Sequence, residues 1–387
     1  MVINSPHEPM PRTLLRLLSC ALALWLCVTG VRAEVILSDG SGQQVRLPGP
    51  ASRLGLNEAD LILTLALLLD DPVAPVTTWA APHRLDPGIL AALAGRFPRI
   101  ADIAQAGSAT PSDFSVESVV AQAPDLYVMR YFDPEWEPIR HRLEAAGIPV
   151  IYLDGPALDG LSPDQRVVFS LTLLGDATGA GDKARAYGDF VRARYARVAR
   201  LIGDVGARPD VLVDGLATPD CCWVPGRDNR LGRLVRFAGG EITGSDLVAG
   251  YSGKISPEYL IATDPQVLIA TGGPQLDAAQ GLVPGLGQGL VLGMGITPDA
   301  ATASLDRILA TGLRSELSAV RDGRSHGILH LLTISPLDVL AVEAFARWIH
   351  PEIAAQIDPA DTLAVINRDF LAFPLTGSLW VDQGAVP

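Results

Sequence analysis

The sequence predicts an α/β protein of two lobes, each a parallel sheet covered by helices, joined by one long helix. Three observations carry that expectation. Short strands, apolar on both faces, alternate with helical segments. Residues 179–203 form the longest helical pattern, and the alternation starts again after it. One phrase stands on either side of that helix: Ser-x-Glu, six residues, Pro, one residue, then an apolar run, at Ser115, Glu117 and Pro124 and again at Ser256, Glu258 and Pro265. The two glutamates lie 141 positions apart, too far for a solenoid repeat and suited to two lobes of similar build.

The elements follow in order. Arg12 and Arg16 precede an apolar stretch from Leu17 to Val28, and Val31-Arg32-Ala33 closes it. This is the pattern of a secretory signal cleaved after Ala33, so the mature chain is expected to be exported. The apolar core is too short for an ordinary spanning helix. Cys20 sits at its beginning rather than its end, which speaks against a lipid anchor. Residues 34–49 alternate around Asp39-Gly40-Ser41-Gly42 and predict an edge hairpin. EADLILTLALLL predicts an apolar helix and PVAPVTTW a strand; after the first phrase come a helix over EPIRHRLEAAG and the strand IPVIYLD. Within residues 179–203, Ala184, Tyr187, Val191, Tyr195 and Val198 recur at spacings of three and four, while Arg192, Arg194, Arg197 and Arg200 form a solvated face. Then come DVLVDGL as a strand, LGRLVRFAGG as a helix, the second phrase, a glycine-rich segment, SLDRILATGLRSELSAV as a helix and HGILHLL as a strand. The expected boundaries are a signal peptide at 1–33, an N-terminal lobe at 34–178, the linking helix at 179–203, a C-terminal lobe at 204–350 and an extension at 351–387.

In each phrase Ser can cap a helix by accepting from free backbone N–H groups, and Pro257 takes the favoured first position. Glu117 and Glu258 then fall in the first turn, where the helix dipole favours a carboxylate by about 0.3–1 kcal/mol. A good helix start used twice accounts for the spacing. So does a second reading, in which one carboxylate per lobe is exposed for a two-fold partner carrying matching cations.

Composition narrows the function. Removing residues 1–33 leaves 27 basic and 42 acidic side chains, a formal balance of −15, and such a surface repels nucleic acid and anionic lipid. Of four cysteines, only the adjacent Cys221 and Cys222 survive export, so there is no disulfide scaffold. They are either a packed neighbouring pair or a reactive thiol site, and the latter would make the chain an exported redox enzyme. Other enzyme signals are missing. HGILH lacks the glutamate of a zinc protease, GLVPGLGQGLVLGMG lacks a phosphate-loop lysine, and no Gly-x-Ser-x-Gly elbow occurs. His83, His141, His326, His330 and His350 show no metal-ligand spacing, which argues against a carrier of bare zinc or manganese.

Taken in order, RLGLNEADLILTL, FSVESVVAQAPDLYVM, LEAAGIPVIYLD, the linking helix, KISPEYLIATDPQVLIATGG and AVRDGRSHGILHLLTISPLDVLAVEAFARWIHPE resemble the substrate-binding proteins of ABC importers for ferric siderophores, haem and cobalamin. The resemblance spans essentially the whole mature chain. It implies two Rossmann-like lobes joined by one helix, a periplasmic location, no catalysis and no cofactor. The ligand would be a ferric chelate held between the lobes, with haem or cobalamin as alternatives. It also implies a monomer that meets a dimeric ABC permease, one glutamate per lobe docking on permease arginines. By motif position these are Glu117 and Glu258.

Ligands of open α/β sheets lie beyond the carboxyl ends of the strands. On the first lobe those loops carry Asn57, Trp79, Gln105, Arg130 and Tyr131, and on the second Trp223, Arg227, Tyr251 and His330. A polycyclic or catecholate chelate needs aromatic walls and guanidinium donors. For haem, Tyr131, Tyr251 or His330 could ligate iron.

Overall fold

The computed structural model describes residues 34–108, 110–203, 205–274 and 289–384. The signal peptide expected at 1–33 and most of the glycine-rich segment lie outside the described residues.

Two five-stranded sheets organise the chain, and β9 (Trp223–Pro225) pairs with β11 (Ser252–Lys254) as a small antiparallel ribbon beside them. The first contains β3 (Leu54–Leu56), β4 (Val76–Trp79), β5 (Ala104–Gln105), β6 (Leu126–Met129) and β7 (Val150–Tyr152) in the order β5-β4-β3-β6-β7, all parallel. The second contains β8 (Asp210–Asp214), β10 (Glu241–Ile242), β12 (Val267–Gly272), β13 (Ser325–Leu329) and β14 (Trp380–Asp382) in the order β10-β8-β12-β13-β14, parallel except for the antiparallel edge β14. Their shared part is the same: four parallel strands in the order second, first, third, fourth. Both copies of the phrase lead into the third strand of that set, β6 and β12, so the sequence repeat marks a repeat of lobes. β3, β6, β7 and β12 are buried throughout, as sheets covered on both faces require.

Each phrase forms the helix that its residues predict. Ser115 Oγ accepts from Ser118 N at 3.0 Å over Val116–Ala121, and Ser256 Oγ accepts from Tyr259 N at 3.2 Å over Pro257–Thr263. The ends match as well. Ala123 and Asp264, at φ 43° and 42°, take the left-handed conformation immediately before Pro124 and Pro265, where proline disfavours another helical residue.

The link between the sheets is a helical hairpin. The helix expected over 179–203 forms at Gly181–Gly203, and Pro163–Thr178, which the sequence reading passed over, packs back along it. A Cβ on Gly175 would meet that of Ala184 at 2.5 Å, so the two helices approach as closely as glycine permits. The helix Gly181–Gly203 is tied to the second lobe by polar bonds: Tyr187 OH donates to Pro336 O at 2.9 Å, Tyr195 OH to Asp338 Oδ1 at 2.8 Å and Arg194 Nε to Glu343 Oε1 at 2.8 Å.

Three further points refine the sequence expectations. Among the described residues the hairpin, β1 (Val35–Ser38) with β2 (Gln44–Leu47), pairs only with itself; Asp39 caps its turn and also accepts from Tyr152 N at 3.0 Å, fixing it to β7. The single helix expected over SLDRILATGLRSELSAV is broken, because Gly312 turns left-handed (φ 58°) after Pro298–Leu309. Residues 351–384 contribute to both lobes: β14 closes the second sheet beside β13, and Ala372 N donates to Ala66 O of the first lobe at 2.9 Å.

Candidate ligand cleft between the lobes

The residues that directly follow the strands converge on one cleft. After β3 stand Asn57, Glu58 and Asp60; after β4, Arg84 and Asp86; after β6, Arg130 and Tyr131. From the other side come Leu216 after β8, Gly273 after β12 and His330 after β13. Gly272 is required where it stands, since a Cβ there would meet the Leu290 carbonyl oxygen at 2.4 Å. HGILHLL does not run on as one strand: Ser325–Leu329 is the strand and His330 begins a short helix, which places its ring at the strand's carboxyl end. A cavity of about 300 Å³ is lined by Glu58, Asp60, Arg84, Asp86 and His330 together with Leu216, Leu290 and Ile334. A second of about 250 Å³, lined by Trp223, Asn229, Leu231 and Tyr251, shares Leu216, His330 and Ile334 with it. Both are mostly apolar and adjoin at the shared residues; the first lies between the lobes, with charge concentrated on its first-lobe wall, while the lining of the second comes from the second lobe.

Arg130 organises that wall. Its Nε donates to Glu58 Oε2 at 3.0 Å, Nη2 pairs with Asp60, and Nη1 crosses the cleft to Ile334 O at 2.8 Å; Asn57 Oδ1 accepts from its backbone N at 3.1 Å. Burial opposes a charge on Arg130, but the Asp60 and Glu58 carboxylates outweigh it and hold the guanidinium above its ordinary range. Burial pushes Asp60 up to about 6 against the pull of Arg130. A second bridge runs from Met294 N of the second lobe to Asp86 Oδ2 at 3.0 Å; Asp86 also accepts from Gly88 N and Ile89 N to cap the helix Pro87–Arg96. His330 Nδ1 lies 3.1 Å from Thr271 Oγ1, and burial, with Arg130 and Arg84 adding, lowers its pKa to about 4. Its imidazole is therefore neutral through the physiological range.

At the mouth, Tyr131 of the first lobe and Trp223 and Tyr251 of the second are 49%, 42% and 66% exposed. Burial pushes Tyr131 up to about 12, with Glu58 and Tyr251 adding, and burial raises Tyr251 as well. These phenols are open to solvent yet walled by protein, as side chains in a cleft are.

Of the residues singled out from sequence, Trp223, Tyr251 and His330 line the cavities. Arg130 and Asn57 stand behind the first-lobe wall, Arg130 paired with its lining residues Glu58 and Asp60 and Asn57 bonded to Arg130; neither they nor Tyr131 line either cavity. Trp79 is buried, Gln105 is exposed, and Arg227 pairs with Asp246 at 2.6 Å on the surface; none of these three lines either cavity. Sequence reasoning passed over Glu58, Asp60, Arg84, Asp86 and Leu216. Glu58 and Asp60 follow the named Asn57 within RLGLNEAD, so the strand-end rule that found Asn57 also reaches them. Cys221 and Cys222 have their sulfurs in contact with each other beside Asp214, which is buried and paired with Arg314 Nη2 at 2.5 Å. Glu117 carries an exposed ion pair to Arg142 at 2.7 Å, and Glu258 is exposed and, among the described residues, makes no ion pair.

Two lobes of matching topology joined by helices, with a cleft at the carboxyl ends of both sheets, define a binding protein rather than a single-domain nucleotide fold. A family model described as periplasmic binding protein matches residues 57–324, more than half of the chain, and the chain belongs to that family, whose members serve ABC transporters. No curated protein matches it. Among solved structures it is similar to the TroA-like periplasmic binding protein FepB from Veillonella parvula, at 23% identity over 90% of this chain and 100% of that one, with a TM-score of 0.78. The Haemophilus influenzae protein MolA, solved with molybdate, matches at 15% identity over 89% and 99% with a TM-score of 0.67. An ABC-type Fe3+-hydroxamate transport protein from Saccharomonospora viridis matches at 20% identity over 82% and 99% with a TM-score of 0.54. The family is one of solute-binding proteins, not enzymes. Among the described residues no helix is long and apolar enough to cross a membrane.

Proposed function

We propose that this chain, exported through a cleaved signal peptide, captures a ferric siderophore in the periplasm between its lobes. It then delivers the chelate as a monomer to a dimeric ABC permease, docking through Glu117 and Glu258. The observation that carries the ligand class is the make-up of the cleft. It is mostly apolar, with aromatic rings at its mouth and Arg84 among Glu58, Asp60 and Asp86 in its lining, while Arg130 stands behind them, paired with Glu58 and Asp60. A bare oxyanion such as molybdate needs converging donors, and three carboxylates beside two arginines oppose it. A bulky chelate that wraps iron in organic arms suits apolar walls with a few polar contacts. The Fe3+-hydroxamate protein with the same fold supports iron. Haem is the second reading, favoured by His330: its imidazole is neutral, and with Nδ1 at Thr271, Nε2 is the nitrogen an iron bond would use.

Isothermal titration calorimetry of the purified protein with a ferric trihydroxamate, a ferric tricatecholate, haemin, cobalamin and molybdate separates these cases. One saturable 1:1 isotherm with a ferric siderophore, and none with molybdate, is expected. Saturation by molybdate, or by haemin alone, would reject the siderophore assignment.

A further inference from the structure

The two phrase helices expose more than their glutamates. Val120 and Ile261 stand three residues after Glu117 and Glu258, which puts them on the same helix face, and they are 39% and 54% exposed. Between them and the acids, Val119 and Leu260 are fully buried. Each short helix is therefore anchored by one side and presents a carboxylate and a β-branched apolar side chain on the other. A single exposed apolar residue needs no explanation. Two at equivalent positions of separate lobes do. Of the nine large exposed apolar side chains among the described residues, Tyr131, Leu216, Trp223 and Tyr251 belong to the cleft and its mouth, and Val120 and Ile261 are the pair that the repeat of lobes relates.

The lobe topology also fixes where these helices begin. A helix that crosses between parallel strands runs against them, so its first turn lies at the strands' carboxyl ends, the side on which the cleft opens. Both glutamates thus start on the side where the cleft opens, one on each lobe, with the apolar residue of each helix one turn further along. Charge alone would hold a partner there poorly, because exposed ion pairs steer an encounter and add little net affinity. Glu117 moreover already shares Arg142 of its own lobe.

We propose that Val120 and Ile261 are the apolar half of a two-fold docking surface. Each packs against an apolar side chain of one permease subunit, while the glutamate one turn away meets a cation of the same subunit. This rests on delivery to an ABC permease dimer. The apolar contacts hold the complex and the glutamates steer and orient it.

The test uses the permease–ATPase complex that responds to the parent protein, reconstituted in proteoliposomes, with ATPase stimulation followed against binding-protein concentration at low and high salt. V120S/I261S is expected to raise the half-stimulating concentration about tenfold, with the salt dependence of the parent. Each single variant should take a similar part of that loss, and calorimetry with a ferric trihydroxamate should match the parent for all of them. E117R/E258R is expected to lose stimulation and its salt dependence. Parent-like stimulation by V120S/I261S beside a silent E117R/E258R would overturn the apolar contact and leave delivery standing. Parent-like stimulation by E117R/E258R would remove the docking reading itself, and this proposal with it.

Discussion

Asp60 and His330 line the same cavity and titrate in opposite senses. Asp60 rises from 3.8 to about 6 in the folded chain, so its stabilising contribution is complete below pH 3.8 and is lost as pH rises towards 6. His330 falls from 6.5 to about 4, so the folded state disfavours its charge and stability is lost as pH drops from 6.5 towards 4. Between pH 4 and 6 the two partly cancel. Thermal melts across that window should show H330Q resisting acid better than the parent and D60N losing more stability than the parent as pH falls. Equal slopes for all three proteins would mean that neither group is shifted. None of this coupling was legible in the sequence. Arg130 invited a role as a ligand donor because it follows an apolar strand, but its three donors reach Glu58, Asp60 and Ile334, which lie 72, 70 and 204 positions away. Only the folded chain shows that Arg130 bridges the lobes.

At the scale of elements, the serine caps and the first-turn glutamates follow from local chemistry, and they formed where the sequence placed them. S115A and S256A should each cost about 1 kcal/mol in urea denaturation, because each leaves a first-turn N–H without its acceptor. No loss in either would show that the short helices are set by their buried faces alone. Other elements were less legible for physical reasons. The helix Pro163–Thr178 opens at Ser162, whose backbone N donates to Gln165 Oε1 at 3.0 Å, yet its run VVFSLTLLG is apolar on several sides and carries no clear period. The helix expected across residue 312 read well by period, but Gly312 adopts a left-handed turn that periodicity does not register. The edge strand β14 is three residues long and gains its identity only by pairing with β13.

Across the whole molecule, the legible feature was the duplication. A phrase repeated 141 residues apart marks the third of the four parallel strands that the two sheets share, and that placement explains a matched pair of acidic helices, one on each lobe. The cleft itself was legible in outline, since strand-end residues were the right place to search. It was not legible in detail, because Trp79 and Gln105, expected in loops after strands, are the last residues of β4 and β5 and line neither cavity. Which loops reach the cleft depends on how two lobes face each other, and no local pattern encodes that. The account stands or falls on whether iron sits in this space. Anomalous scattering at the iron edge, from crystals grown with a ferric trihydroxamate, measures that position directly. A single iron peak between the lobes, beside Leu216, His330 and Ile334, is the predicted result; iron bound elsewhere on the chain, with none in the cleft, would contradict it.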